Sequence, residues 1–185
     1  MSYRIRVATL GDLPVLQALI ARSARELSSG DYTAAQVEGA LRGAFGVDTQ
    51  LIRDGTYFVI EDDEAVVACG GWSYRRTLFG SDQRADRDVG ELDPRVDAAK
   101  IRAFFVDPLH ARKGLGTRLL ETCEAAAGAR GFARVELMGT LPGVKLYAAR
   151  GYVASGRVGY EVAPGVEIEF VPMSKALKSA QSPRG

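Results

Sequence analysis

Apolar and polar positions along this chain follow two different periods, and the period changes at glycines, prolines and short polar clusters. Tyr3 to Ala8 alternates and predicts a first strand. Thr9 and Asp12 have the spacing of a capping box, and Pro14 suits a first helical turn. Leu13, Leu16, Leu19, Ile20, Ala24 and Leu27 then recur at helical spacing, until Ser28-Ser29-Gly30-Asp31 breaks the pattern. Thr33 and Gln36 form a second capping box, opening a short helix with Val37, Ala40, Leu41 and Ala44 inward. Thr56 to Glu61 and Ala65 to Tyr74 read as strands joined by a hairpin turn at Asp62-Asp63-Glu64.

Arg75 to Ala98 is polar and irregular, and a connection of that length is either functional or mobile. Lys100 to Val106 is the next strand, and its run Ala103-Phe104-Phe105-Val106 does not alternate, which predicts burial on both faces. A helix follows from Gly114 to Arg130, with Leu115, Leu119, Leu120, Cys123 and Ala127 on one side and Gly131 as its stop. Val135 to Met138 is a strand, and Pro142 to Arg150 a short helix closed by Gly151. Tyr152 to Tyr160 and Val166 to Pro172 read as a closing hairpin. The order is α/β: a mixed, mainly antiparallel sheet of about seven strands flanked by about four helices. We expect one domain over residues 1–177 and a disordered polar tail over 178–185.

Composition narrows the function classes. The chain has 185 residues, 46% of them hydrophobic, with a net charge of +1, so neither a nucleic-acid nor a membrane surface is expected as partner. No signal-peptide pattern opens the sequence and no apolar run could span a bilayer, so a cytoplasmic location is expected. Cys69 and Cys123 lack metal spacing and read as buried thiols, and His110, the only histidine, reads as a surface residue. No metal site is expected.

The chemistry concentrates in Val106-Asp107-Pro108 followed by Arg112-Lys113-Gly114-Leu115-Gly116-Thr117. Strand, basic turn and helix follow in that order, so the helix N-terminus presents unpaired N–H groups and its positive dipole end beyond the strand. Glycines allow close approach of the main chain to a ligand, and the ligand implied is a phosphate or pyrophosphate. A nucleotide P-loop is excluded by the absence of Gly-Lys-Ser/Thr at its spacing, and a dinucleotide fingerprint by Leu119 at its third glycine position.

The remaining pattern resembles the acyl-CoA loop of the GNAT superfamily of N-acetyltransferases, Gln/Arg-x-x-Gly-x-Gly/Ala. Ala111 stands at the first position, with Arg112 beside it, a departure that removes one side-chain contact and leaves the backbone cradle. Downstream, Leu146-Tyr147-Ala148-Ala149-Arg150-Gly151-Tyr152 resembles the family's Leu-Tyr-x-x-x-Gly-Phe signature. Tyr147 then falls where the family places the proton donor to the departing CoA thiolate. A phenol, with a reference pKa of about 10, is protonated at neutral pH and able to serve a sulfur leaving group.

The resemblance implies the GNAT fold through about residue 174, acetyl-CoA as co-substrate and no metal. It implies that the fourth strand splays from the fifth and that backbone groups at Phe104, Phe105 and Val106 pair with pantetheine. Amides of Arg112, Lys113, Gly114, Leu115, Gly116 and Thr117 would take the pyrophosphate, and Thr140 stands where the family often has an Asn reaching pantetheine. A primary amine of a small molecule or peptide would attack directly. The family often places a Glu base on the fourth strand; Lys100 to Phe105 contains none, so Glu136 is the candidate base, with Glu61, Glu167 and Glu169 weaker ones. Trp72 and Tyr74 are candidates for the acceptor pocket or for core packing. The alternative from another class is a non-catalytic acyl-CoA sensor or interaction module. Family members often pair through late strands, so a homodimer is compatible with the sequence.

Overall fold

The structure is a computed structural model that describes residues 2–178. The tail expected from residue 178 lies outside the described residues from 179 onward. Strands β1 (Tyr3–Val7), β2 (Tyr57–Asp62), β3 (Ala65–Ser73), β4 (Ala99–Val106), β5 (Arg134–Thr140), β6 (Val153–Ala154), β7 (Val158–Ala163) and β8 (Val166–Ala176) form one sheet. Helices are α1 (Leu13–Leu27), α2 (Ala34–Ala40), α3 (Thr49–Arg53), α4 (Leu115–Ala129) and α5 (Val144–Ala149). The sheet order is β1-β2-β3-β4-β5-β8-β6, with β7 also on β8, and every pairing is antiparallel except that of β4 with β5.

The α/β architecture agrees with the sequence reading, with eight strands in place of about seven and five helices in place of about four. Tyr152 to Tyr160 is not one strand. It divides into β6 and β7, which lie end to end along the same edge of the long β8. Helix α3, left unassigned by periodicity, is a single short turn set by its cap: the Asp48 carboxylate accepts from the Gln50 N–H at 3.0 Å. The Thr33–Gln36 capping box forms in both directions, at 3.2 and 2.8 Å.

Alternation along the strands sends their side chains into two cores. Tyr57, Val59, Cys69, Ile168 and Phe170 pack beneath α1 and α2. Ile60, Ala68, Trp72, Ile101 and Val135 point to the other face, against Leu119, Leu120, Cys123 and Ala127 of α4. Both cysteines are buried free thiols, as the sequence indicated, and burial raises the pKa of each. Among the described residues no helix is long and apolar enough to cross a membrane, and no group of His, Cys, Asp or Glu could hold a metal ion.

Candidate active site

The site begins where β4 and β5 stop pairing. Their parallel ladder contains Ala99 opposite Val135 and Lys100 opposite Glu136, and nothing beyond. From Ile101 onward the β4 edge facing β5 has no strand partner, and a cleft opens between Phe104 and Phe105 on one side and Leu137, Met138 and Thr140 on the other. The divergence coincides with a bulge. Cys69 lies opposite Phe105 and Gly71 opposite Arg102, so three steps of β4 match two of β3. Ala103 absorbs the extra residue in the left-handed region, at φ 53°.

One side-chain bond holds this strained residue, and two glycines make room for the rings around it. The Tyr57 hydroxyl, on β2, donates to the Ala103 carbonyl at 3.1 Å. A Cβ on Gly71 would stand 2.6 Å from Tyr57 Cδ2, and one on Gly70 would stand 2.4 Å from Phe104 Cδ1. Each glycine of the Gly70-Gly71 pair therefore makes room for an aromatic ring, one that fixes the bulge and one that lines the cleft. Glycine inside a strand often marks such close approach.

Beyond β4, one 3-10 turn leads through Arg112, at φ 64°, and Gly114, at φ 79°, into α4. Arg112, Lys113 and Gly114 are exposed, and no side chain caps the helix. Its first-turn N–H groups and two adjacent cations therefore present donors and positive charge to one space, the features expected of an anion cradle. The two glycines differ in purpose. Gly114 is required by its backbone angle and has open space around it, whereas a Cβ on Gly116 would stand 2.9 Å from Leu146 Cδ2. Gly116 thus serves the packing of α4 on α5 as well as the cradle.

Tyr147 lies on α5, buried against Phe104 and Tyr152 at ring-centroid separations of 6.4 and 5.7 Å, and it lines the cleft. Burial, with Cys123 nearby, raises its phenol pKa, so it stays protonated to higher pH than a free tyrosine. Thr140 lines the same cleft at the end of β5. Its neighbour is fixed by Tyr32, whose hydroxyl accepts from the Leu141 N–H at 2.9 Å and donates to the Glu169 carbonyl at 2.6 Å.

The opposite end of the cleft is walled by Phe45, Phe79 and Phe170. Phe79 belongs to the irregular 75–98 segment, which is fastened down rather than loose. Phe79 packs on Tyr160 and Phe170 at 5.1 and 5.4 Å, and Arg84 lies over its ring at 3.9 Å. Arg75 forms two hydrogen bonds to Asp54, at 2.7 and 2.8 Å. Arg102 of β4, buried, donates to the Thr77 and Gly80 carbonyls at 2.9 and 2.8 Å and to Asp48 at 2.8 Å, and Asp48 also pairs with Arg87.

Several sequence candidates stand elsewhere. Glu136 lies in the zipped part of the ladder, is ion-paired to Lys100 and does not line the cleft. Trp72 and Tyr74 are core residues on the α4 face: Trp72 packs on Phe132, and Arg130 lies 3.5 Å over the Tyr74 ring. Strand alternation turns them from the cleft. Val106 packs with Leu115 and Leu119 rather than lining the gap. Glu61 is held by Arg4 and Arg6, and Glu169 by Arg157. His110 is not a free surface residue: it lies between Asp62, at 3.3 Å, and Asp107, at 3.7 Å. Arg102, Asp48, Tyr57, Tyr32, Phe45 and Phe79 were not among the sequence candidates. Two of them carried a signal: Arg102 as an arginine inside an apolar strand, and Tyr57 through the Gly-Gly pair of the neighbouring strand.

A splayed parallel pair, an uncapped basic helix start and a buried tyrosine lining the gap thus lie together at one part of the sheet. The sequence model for the Acetyltransferase (GNAT) family matches residues 22–152. The chain belongs to the GNAT acetyltransferase family, which indicates acyl transfer. No curated protein matches it. Among solved structures it is similar to a GNAT protein from Rhodopseudomonas palustris at 20% identity and TM-score 0.70, covering 96% of this chain and 97% of that one. It is similar to the paia N-acetyltransferase of Thermoplasma acidophilum, in complex with coenzyme A, at 14% identity and TM-score 0.64, covering 95% and 99%. A third is yncA from Salmonella typhimurium with acetyl-CoA, at 15% identity and TM-score 0.64, covering 100% and 99%.

Proposed function

We propose that the chain is an acetyl-CoA-dependent N-acetyltransferase that acts in the cytoplasm and carries the acetyl group to a primary amine by direct attack. The observation that carries this reading is the end of the β4–β5 ladder at Lys100 and Glu136, beside a buried Tyr147 that faces the opened gap. When bound, acetyl-CoA supplies an activated thioester. The fit of this chain to it rests on three features: an unpaired strand edge at 101–105, an apolar slot and an uncapped helix start flanked by Arg112 and Lys113.

In this reading the α4 amides and Arg112 and Lys113 hold the pyrophosphate. Backbone groups around Phe104 and Phe105 hold the pantetheine chain as a further strand would, and one N–H there polarises the reacting carbonyl. Thr140 contributes a hydroxyl. Tyr147 donates a hydrogen bond to the sulfur. Because burial raises the phenol pKa while a thiol ordinarily titrates near ~8.5, the phenol eases departure chiefly by hydrogen bonding to developing thiolate charge. Among the described residues no carboxylate or histidine lines the cleft, so the amine proton leaves through water rather than to Glu136.

That lack of a lining base also favours the second reading, an acyl-CoA-binding module without turnover. Calorimetric titration with acetyl-CoA, CoA and ATP tests what both readings share. Micromolar acetyl-CoA binding with ATP much weaker is expected, and absence of acetyl-CoA binding refutes both. Acetyl-CoA consumption in the presence of an amine separates enzyme from module.

A further inference from the structure

Resting on that reading, we propose that the acceptor is a hydrophobic monoamine, with its aromatic or branched aliphatic body seated among Phe45, Phe79, Phe105 and Phe170. The cleft runs from Tyr147 to these rings. Phe45, Phe79, Phe105 and Phe170 belong to the α1 and α2 face of the sheet and Tyr147 to the α4 face, from which the basic helix start follows, so the cleft passes between β4 and β5 from one face to the other. An acceptor meeting a thioester held from the helix end therefore enters past the phenylalanines. Phe45 lies 5.8 Å from Phe105 and 6.2 Å from Phe170, and Phe79 lies 5.4 Å from Phe170, so the rings form one contiguous apolar wall.

Charge narrows the class further. A polyamine or aminoglycoside carries several ammonium groups, each needing a carboxylate, and an amino acid carries a carboxylate of its own. Among the described residues the cleft is lined by no acid and by one charged residue, Arg102. The acids nearest this end are already engaged: Asp48 with Arg102 and Arg87, Asp82 with Arg87, Asp86 with Arg84, and Asp54 with Arg75. Arg102 in turn spends its donors on Asp48 and two carbonyls, which leaves it poorly placed to bind an acceptor carboxylate. A cleft walled by aromatic rings with the Arg102 cation in its lining also disfavours the ammonium form of an entering amine and lowers its pKa, which matches a site without a lining base.

The test uses the purified full chain at fixed acetyl-CoA, with thiol release followed for 2-phenylethylamine, 3-methylbutylamine, spermidine and lysine. Acetyl-CoA binding is measured on the same preparation by calorimetry. We expect kcat/KM for 2-phenylethylamine to exceed that for spermidine and lysine by roughly tenfold or more. Phe79→Ala should raise KM for 2-phenylethylamine several-fold while leaving acetyl-CoA affinity intact; Phe45→Ala provides the same comparison if the first variant does not fold. Normal acetyl-CoA binding with spermidine or lysine equal or preferred overturns the acceptor class alone, whereas normal binding with no amine turned over overturns this inference together with the enzyme reading and leaves the binding module. Loss of acetyl-CoA binding in the unmodified chain overturns the acetyltransferase reading and this inference with it.

Discussion

In an Asp48→Asn variant the side chain keeps its volume and the oxygen that caps α3, but loses the charge that faces two arginines. Asp48 is buried, accepts from Arg102 at 2.8 Å and also pairs with Arg87. Arg102 is itself buried, and burial pulls its pKa down while Asp48 opposes that shift. Two charge-assisted hydrogen bonds at about 1.5–3 kcal/mol each suggest a loss of roughly 3–6 kcal/mol. Measurements on broken buried ion pairs give about 3–5 kcal/mol, chiefly because the remaining charge is stranded. The expected cost is therefore about 4 kcal/mol, or roughly 10 °C in Tm for a chain of this size. Urea unfolding read by fluorescence of Trp72, the only tryptophan and a buried one, gives the number directly. Glu38→Gln is the control, since the Arg25–Glu38 pair is exposed on both sides and solvent screening should make its loss nearly neutral. Trypsin should also cut sooner at Arg84 and Arg87 in Asp48→Asn, because the anchor of the 75–98 segment is weakened. A loss below about 1 kcal/mol, with unchanged proteolysis, would refute the claim that this cluster fastens the segment to the cleft.

Three further variants probe the site and its frame. Tyr147→Phe should lower kcat roughly tenfold or more in steady-state kinetics while acetyl-CoA affinity by calorimetry stays nearly constant; unchanged kcat removes the proton-donor role. Tyr57→Phe deletes the hydroxyl that holds the Ala103 carbonyl, so urea unfolding should show a loss of about 1 kcal/mol and kcat should fall with it. If both are unchanged, the bulge does not depend on that bond. Asp12 is the acid-sensitive group. Its carboxyl, bonded chiefly to Arg6 and partly opposed by burial, is pulled down to about 2, against an unfolded value near ~3.9. A depressed carboxyl stabilises above the unfolded pKa and loses that contribution as pH falls through the folded one. The difference in unfolding free energy between the native chain and Asp12→Asn, about 2 kcal/mol from this group at pH 5, should shrink as pH falls from 4 to 2. A pH-independent difference would contradict the linkage.

How far the sequence announced this site depends on whether a feature is local. The strand–turn–helix around Gly114 and the tyrosine on α5 were legible because a turn, a helix start and a short helix are each specified by neighbouring residues. Other placements were not local. Trp72 and Tyr74 read equally as pocket or core residues and Glu136 as a candidate base, because the face a strand residue presents is set by its partners in the sheet. Alternation sends Trp72 into the α4 core, and the register of Lys100 against Glu136 closes an ion pair where the strands are still joined. The split of Tyr152–Tyr160 into β6 and β7 follows from the length of β8, which offers one edge to both segments. The 75–98 segment read as irregular because its order comes from bonds to Asp48, Asp54 and Arg102, remote in sequence from most of it. The bulge is the intermediate case. Gly70-Gly71 signals that something approaches the strand closely, but only the fold shows that Phe104 lies against one glycine and Tyr57 against the other. Those two contacts join the halves of the site. The ring of Tyr57 holds Ala103 in its left-handed conformation, and Phe104, next in sequence, is thereby set against Tyr147 across the opened strands. Enlarging either glycine should therefore disturb the gap directly, through the ring it displaces.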